Sequence, residues 1–293
     1  MDVLLQQIAN ALVLGGAYVL VALGLFLIFS VLDIPNFAHG EMYAAGAYLQ
    51  YLFAVQLGLP FVVALAAAIV LTALLGMALE RSVFRRFQGV GLFPVLIASL
   101  ALGIVLQQVI ALVWGTNPVT VPAPVEGVTA LGPVLISNYR LVVVGVVLVA
   151  AAAMAWLVYR SAFGKQLRAL AQNRSLAELA GVRVGRVGTI TFGIGSGLAG
   201  LAGGLLAAAG PMNPYMGFHP MLVAFVVLVV MGGGGRLSAA VAGGLAVAVI
   251  ETLTAGYLSN ALRLAVVFVA LVVFLVWRPE GAVRQVSAER ARL

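Results

Sequence analysis

The residues best suited to chemistry lie first in a polar patch, residues 31–43, that separates two apolar segments. Pro35 removes a backbone donor and disfavours helix just before it, so we expect the chain to break here. Inside a membrane, broken backbone persists only where protein or a water-filled cavity surrounds it. Asn36, His39 and Glu41 are therefore predicted to face a translocation path. The alternative is a patch at the membrane surface, with Asn36 as N-cap and Glu41 in a first helical turn.

A similar break recurs later in the chain. Phe218-His219-Pro220 follows a proline-rich stretch at 210–214, much as Phe37-Ala-His39 follows Asp33-Ile-Pro35. Matching breaks in two halves are typical of transporters built from repeats, so Phe218 and His219 are predicted to join the path. The alternative for His219 is a histidine at an interface with its hydrogen bonds satisfied.

The composition places these patches in a membrane. The 293-residue chain is 63% hydrophobic and 9% charged, against about 25% charged in soluble domains. Since a span takes roughly 20 residues, we predict an all-α integral membrane protein, a polytopic bundle of about eight to nine transmembrane helices with broken helices and two related halves. The predicted spans are 8–29, 38–54, 61–79, 92–114, 141–159, 187–208, a short 221–231, 239–253 and 262–277.

The basic residues predict the orientation. Alternating spans place Arg140 and Arg263 on one side and the other fourteen of the 16 basic residues on the opposite side. Basic residues gather in cytoplasmic loops, so the N-terminus is predicted outside and the C-terminus inside. Because the basic residues lie in cytoplasmic loops, the net charge of +7 does not indicate nucleic-acid binding. The chain is treated as one domain, with a first half at about 1–159, a cytoplasmic loop at 160–187, a second half at 188–277 and a basic tail at 278–293.

The longest polar interruption is the central segment, residues 160–187. Its apolar residues recur at helical spacing, which predicts one or two short amphipathic helices. Between Gly164 and Val187, five basic residues accompany a single acid, Glu178. A simple connection would need neither this length nor this pattern, so we interpret the segment as a docking surface.

Glycines in the second half predict close helix packing. Gly193 with Gly197, and Gly200 with Gly204, have the spacing that lets helices approach closely. Gly232 and Gly233 begin a run of four that is also interpreted as packing. No Lys-Ser or Lys-Thr follows that run, so it is not a nucleotide loop. Energy for uphill transport would come from ions or from another polypeptide.

Enzymatic chemistry has little support. The sequence contains no cysteine, which excludes disulfides, thiolate metal sites and thiol catalysis. Asp33, His39, Glu41 and His219 match no metal-ligand spacing. We therefore expect no catalytic or metal site.

Three stretches resemble permeases of the high-affinity branched-chain amino acid ABC importers. They are Asn36-Phe-Ala-His-Gly-Glu-Met42, the central Gly164…Arg168-Ala169…Asn173…Ala177…Ala180-Gly181-Val182, and Phe218…Ala224-Phe225…Gly232-Gly-Gly-Gly235…Ala242-Gly243-Gly244. The three stretches occur along this chain in the same order as in the family. This chain has Gly235-Arg236 where the family commonly has Gly-Ser.

The resemblance implies a bacterial inner-membrane permease subunit that works by alternating access. A second, related permease would pair with this chain as a heterodimer, and a homodimer is the alternative. Two cytoplasmic ATPase subunits and a periplasmic binding protein would complete the importer. ATP and Mg would lie on the ATPase subunits, and this chain is expected to bind no cofactor. The resemblance implies a coupling helix for the ATPase that holds Lys165, Arg168, Ala169, Asn173, Ala177 and Gly181.

The substrate implied by the resemblance is a branched-chain or other neutral, hydrophobic amino acid. Urea, short amides and aromatic compounds are alternatives within the same permease class. A proton-coupled secondary transporter using Glu41 or His39 is the alternative from another class. That transporter would need no ATPase, and its uptake would collapse with the proton gradient.

Overall fold

The computed structural model describes residues 2–32, 36–87, 90–131, 134–230 and 237–277. This part of the chain forms eleven α-helices and one β-hairpin. The helices are α1 (Asp2–Leu32), α2 (His39–Tyr51), α3 (Phe61–Ser82), α4 (Leu92–Trp114), α5 (Asn138–Arg160), α6 (Ala162–Gln172), α7 (Arg174–Leu179), α8 (Val184–Leu206), α9 (Phe218–Val230), α10 (Leu237–Tyr257) and α11 (Arg263–Trp277). A π-helical turn, Leu52–Gln56, extends α2. Strands β1 (Val128–Leu131) and β2 (Val134–Ser137) pair antiparallel in the 115–138 loop.

Seven of the described helical segments are long and apolar enough to cross a membrane. They are Leu4–Val31, Phe61–Phe87, Leu92–Trp114, Asn138–Arg160, Val184–Leu206, Leu237–Tyr257 and Asn260–Trp277. The predicted all-α polytopic fold is therefore confirmed. The remaining two predicted spans, 38–54 and 221–231, correspond to α2 and α9, which have only 13 residues each.

Helices α1 and α8 form the centre of the bundle. Most of their span residues are buried, whereas α3, α4 and α5 expose most of theirs, as lipid-facing helices do. The two central helices cross at Gly24 and Gly195, where a Cβ on either glycine would come within 3 Å of the other's carbonyl oxygen. Only glycine allows the two backbones to approach this closely.

Each central helix packs mainly on helices from the opposite end of the sequence. Helix α1 packs most extensively against α10 and also against α9, while α8 packs most extensively against α3 and α2. The chain also repeats one order of helices. A long helix, a short helix and a long helix follow one another in α1–α3 and again in α8–α10.

The short helix α2 begins inside the bundle. His39 Nε2 lies 3.2 Å from the Val21 carbonyl oxygen, eleven residues before the end of α1. At 1.5 Å per helical residue, this point lies roughly 16 Å from the end of α1. The N-cap of α2 is Ala38, without a side-chain hydrogen bond. The interpretation of Asn36 as the N-cap is therefore wrong. Pro35 lies outside the described residues.

The central segment contains two short helices, α6 and α7, as its pattern predicts. Ser161 caps α6, its Oγ accepting a hydrogen bond from Gly164 N at 2.8 Å. Asn173 caps α7 in the same way, since its Oδ1 accepts from Leu176 N at 3.0 Å. Gly181, with φ of +83°, follows α7 in the left-handed conformation that favours glycine.

Candidate functional site

The two short helices meet at their first residues. A Cβ on Gly40 would overlap the Gly217 carbonyl oxygen, and one on Gly217 would overlap that of Gly40. From this point α2 runs toward the end of the bundle that holds the N-terminus, where Tyr48 packs on Trp114 with ring centroids 5.3 Å apart. Helix α9 runs the other way, and Val227 packs beside Gly243 near the start of α10. We call residues 36–41 with Gly217 the junction.

Three of the predicted path residues lie at the junction. Asn36, His39 and Glu41 are all buried, and each has a side-chain atom without a hydrogen-bond partner among the described residues. His39 faces α1 and holds the start of α2 against it through Val21. Glu41 lies beside Gly217. Buried polar groups that lack partners are costly in a membrane and are by default candidates for function.

The other two predicted path residues lie apart from these three. Phe218 is exposed on the outer surface of the bundle. His219 lines a cavity of about 680 Å³ at the end that holds the N-terminus. The other lining residues are Gln7, Asn10, Val13, Leu14, Tyr18, Tyr43, Arg140, Leu206, Ala209, Gly210, Pro211, Met216, Pro220, Thr252 and Arg263.

A buried hydrogen-bond network forms the inner end of this cavity. Tyr18 Oη donates to Glu251 Oε2 at 2.6 Å, and His219 Nε2 lies 2.9 Å from Tyr18 Oη. The same His219 nitrogen lies 3.0 Å from Glu251 Oε1. The Glu251 side chain is fully buried. We did not identify Glu251 from the sequence, although a lone acid inside the predicted span 239–253 was a sufficient signal.

Two arginines line the cavity nearer its mouth. Arg140, in the first turn of α5, donates from Nη1 to Asn10 Oδ1 at 2.8 Å. Arg263 begins α11, and its buried Nε has no hydrogen-bond partner within the described ranges. The alternation of spans predicts that these two arginines are the only basic residues on their side of the membrane, and the structure brings both to one cavity.

At the opposite end of the bundle, the central segment presents both basic and apolar side chains. Lys165, Asn173 and Gly181 are exposed, whereas Ala169 is half-buried and Ala177 is buried. Arg168 donates to the Val158 carbonyl oxygen and so ties α6 to the end of α5. The most exposed apolar side chains are Leu176 and Leu179, at 63% and 85%. If the segment docks a partner, these two leucines rather than Ala177 are positioned to contact it.

Another buried acid, Glu80, lies close to the central segment. Glu80 Oε2 accepts from Thr189 Oγ1 at 2.6 Å and from Arg85 Nη2 at 3.0 Å. Arg85 also donates to the Gly185 carbonyl oxygen at 2.9 Å. These bonds connect the end of α3 to the start of α8, directly after the central segment. Neither Glu80 nor Arg85 was predicted from the sequence to be a site residue.

The predicted packing glycines differ in how tightly they are packed. A Cβ on Gly200 would lie 2.8 Å from Thr72 Cβ, and one on Gly193 or Gly204 would press on the side chain of Met77 or Leu65. Gly197 would meet only ordinary contacts, at 3.5 Å or more. Gly232 and Gly233 lie outside the described residues.

Comparisons with known proteins agree with this architecture. Residues 7–277 match the family described as the branched-chain amino acid transport system permease component. The chain is 31% identical to the high-affinity branched-chain amino acid transport system permease protein LivH of Escherichia coli K12, over 98% of this chain and 97% of that protein. It is 29% identical to the corresponding protein BraD of Pseudomonas aeruginosa, with the same coverage. A probable branched-chain amino acid transport permease of Methanocaldococcus jannaschii is 27% identical over 88% of this chain and 85% of that protein. No solved structure matches.

Proposed function

Because the chain belongs to the branched-chain amino acid transport permease family, and is thus a membrane permease subunit of an amino acid ABC importer, we propose that it moves branched-chain or other neutral, hydrophobic amino acids by alternating access. The protein is a multi-pass protein of the bacterial inner membrane. In the proposed orientation the N-terminus is periplasmic and the C-terminus cytoplasmic. The distribution of basic residues supports it.

The observation that carries this proposal is the meeting of α2 and α9 inside the bundle. Their first residues touch at Gly40 and Gly217, and the cavity lies on one side of this contact. Short helices that meet within a membrane are typical of transporter binding sites, because substrate can approach broken backbone there. The junction, with Asn36, His39 and Glu41, would separate an outward cavity from the cytoplasm and open when the helices rock.

The energy would come from partner subunits. The proposed assembly contains a second, related permease, two cytoplasmic ATPase subunits that bind ATP and Mg, and a periplasmic binding protein. The central segment would act as the coupling element, with Leu176 and Leu179 seated in an ATPase groove. Exposed leucines beside basic residues support this role, since apolar side chains in a polar rim are common at docking interfaces.

Disulfide cross-linking tests this arrangement. Because the chain contains no cysteine, an introduced cysteine is the only thiol on this subunit that can react. Leu179→Cys should cross-link to single cysteines in the groove of a co-expressed ATPase subunit, and the yield should change with ATP. The matched control is Leu112→Cys, an equally exposed leucine on α4 that should not react. A folded Leu179→Cys protein that cross-links no better than the control would contradict the proposal.

Uptake measurements test the energy source separately. The complete importer in proteoliposomes should take up L-leucine only when ATP and the binding protein are present. An ionophore that collapses the proton gradient should leave the rate unchanged. Uptake that is lost with the gradient and persists without ATP would instead indicate a proton-coupled transporter.

A further inference from the structure

We propose that the cavity beside α1 binds the carboxylate of a neutral amino acid through Arg140 and Arg263, so that a substrate site lies inside this single chain. This inference rests on the proposed function and deepens it by assigning the groups that recognise the substrate. Four observations carry it: the size of the cavity, the two arginines, the acid at its inner end and the apolar wall between them.

The size of the cavity suits a small ligand. Its volume of about 680 Å³ lies within the 300–1,000 Å³ that is usual for small-molecule sites. The cavity extends along α1 from Gln7 to Tyr18, a distance of roughly 16 Å at 1.5 Å per residue. An amino acid therefore fits with space for water.

The charges facing the cavity favour a carboxylate at its mouth. Arg140 and Arg263 carry positive charge, and among the described lining residues no acid faces them directly. Arg263 Nε is buried without a partner in the described part of the chain, a donor left for a ligand to satisfy. Guanidinium groups bind carboxylates through paired, charge-assisted hydrogen bonds. Asn10 orients Arg140 through the 2.8 Å hydrogen bond already described.

An acid lies behind the inner end of the cavity. Glu251 lies directly behind Tyr18 and His219, which together with Tyr43 are the titratable residues that line this end. A ligand ammonium group directed inward would be attracted to this acid through the Tyr18 hydroxyl. The cavity therefore has two guanidinium groups at the mouth and a carboxyl group behind its inner end, and this arrangement suits a zwitterion oriented with its carboxylate outward.

The wall between these ends is apolar. Val13, Leu14, Leu206, Met216 and Pro220 line it and provide a surface for an aliphatic side chain. A small number of polar groups that fix orientation within an apolar pocket is the usual composition of a specific ligand site.

Protection of an introduced cysteine tests this site. In the complete importer, Leu14→Cys places a thiol in the cavity wall, and water-soluble methanethiosulfonate reagents added from outside should modify it. L-leucine should slow this modification, and 4-methylpentanoate, which keeps the carboxylate, should slow it partially. Leucinamide lacks the carboxylate and should not protect. Equal protection by leucinamide would overturn the assignment of the arginines.

Arginine variants in the Leu14→Cys background supply the second readout. Arg263→Gln and Arg140→Gln should each raise the leucine concentration for half-protection roughly tenfold to a hundredfold, as expected for a lost hydrogen bond to a charged group. The matched control is Arg81→Gln, an exposed arginine at the opposite end of the bundle, which should have no effect. Unchanged half-protection in both cavity variants would overturn the proposal.

Three outcomes separate this inference from the proposed function. If wild-type importer takes up leucine but leucine never protects Leu14→Cys, the site is wrong and the transport function stands. If the arginine variants raise only the amount of binding protein needed for half-maximal uptake, with protection unchanged, the arginines contact that protein instead. Absence of ATP-dependent leucine uptake by wild type would contradict the proposed function itself.

Discussion

At the scale of single residues, two of the buried acids, Glu251 and Glu80, follow one rule. Glu251 on α10 accepts a 2.6 Å hydrogen bond from Tyr18 on α1, and Glu80 on α3 accepts a 2.6 Å hydrogen bond from Thr189 on α8. Each central helix therefore supplies a hydroxyl to an acid on the helix that packs most extensively against it. A carboxylate in this low-dielectric interior needs such donors, because the unpaired group would be costly to bury.

Removing one of these donors should destabilise the protein. Tyr18→Phe deletes the hydroxyl that bonds Glu251 and should lower the free energy of unfolding by about 1–2 kcal/mol. Thermal unfolding in detergent measures the effect. Tyr159→Phe, an exposed tyrosine at the end of α5, is the control and should change little. Equal midpoints for the two variants would show that the Tyr18–Glu251 bond contributes nothing.

At the scale of elements, glycines set the distance between α8 and α2. A Cβ on Gly203 would overlap the Tyr43 carbonyl oxygen, and one on Gly46 would overlap the backbone of Gly200. Backbone atoms of a packed helix cannot move aside as a flexible side chain can. This contact fixes where α2 lies and so where the junction forms.

Alanine substitutions should separate tight from loose positions on the same helix. Gly203→Ala should destabilise the fold by about 1–3 kcal/mol, or prevent it, because the added methyl group meets backbone. Gly197→Ala is the control, since its Cβ would meet only ordinary van der Waals contacts. The yield of monodisperse protein and its unfolding midpoint measure both. Equal tolerance of the two substitutions would contradict the packing described here.

At the scale of the whole molecule, a group of hydrogen-bonded residues connects the central segment to the bundle. We call Glu80, Arg85, Thr189 and Gly185 the Glu80 cluster. Arg85 bonds both Glu80 at the end of α3 and Gly185 at the start of α8. Force applied to the central segment by an ATPase would therefore reach α3 and α8 together. We propose that the two related halves, at about 1–159 and 188–277, move relative to each other, with the central segment between them. This division is supported by the packing of α1 on α9 and α10, and of α8 on α2 and α3, because each half contributes one central helix to the other.

Breaking that connection should uncouple the importer. Arg85→Gln removes the charge from the cluster and leaves Glu80 with Thr189, so leucine transported per ATP hydrolysed should fall severalfold while ATP hydrolysis persists. The neighbouring exposed Arg86 provides the control, because Arg86→Gln alters charge at the same end without touching Glu80. Uptake and hydrolysis measured in the same proteoliposomes give the ratio. An unchanged ratio for Arg85→Gln would contradict a role in coupling.

Much of this architecture was predictable because local patterns determine it. Long apolar runs predicted the spans, the helical spacing of 160–187 predicted α6 and α7, and a short segment at 221–231 predicted a broken helix. The depth at which α2 begins inside the bundle was not predictable. It depends on the packing of His39 and Gly40 against residues that are distant in the sequence. Of the predicted path residues, Asn36, His39 and Glu41 lie together, whereas Phe218 and His219 lie apart from them.

The sequence by itself determined the membrane environment, the helices and the asymmetry of charge, because each depends on composition or on neighbours along the chain. Only the tertiary structure decided which of these residues meet. Tyr18 meets His219 and Glu251, which lie on two other helices more than two hundred positions along the chain. Arg140 and Arg263 reach the same cavity from two further helices. Such meetings depend on how closely glycine-containing helices can approach, a property of packing in three dimensions that no local pattern encodes.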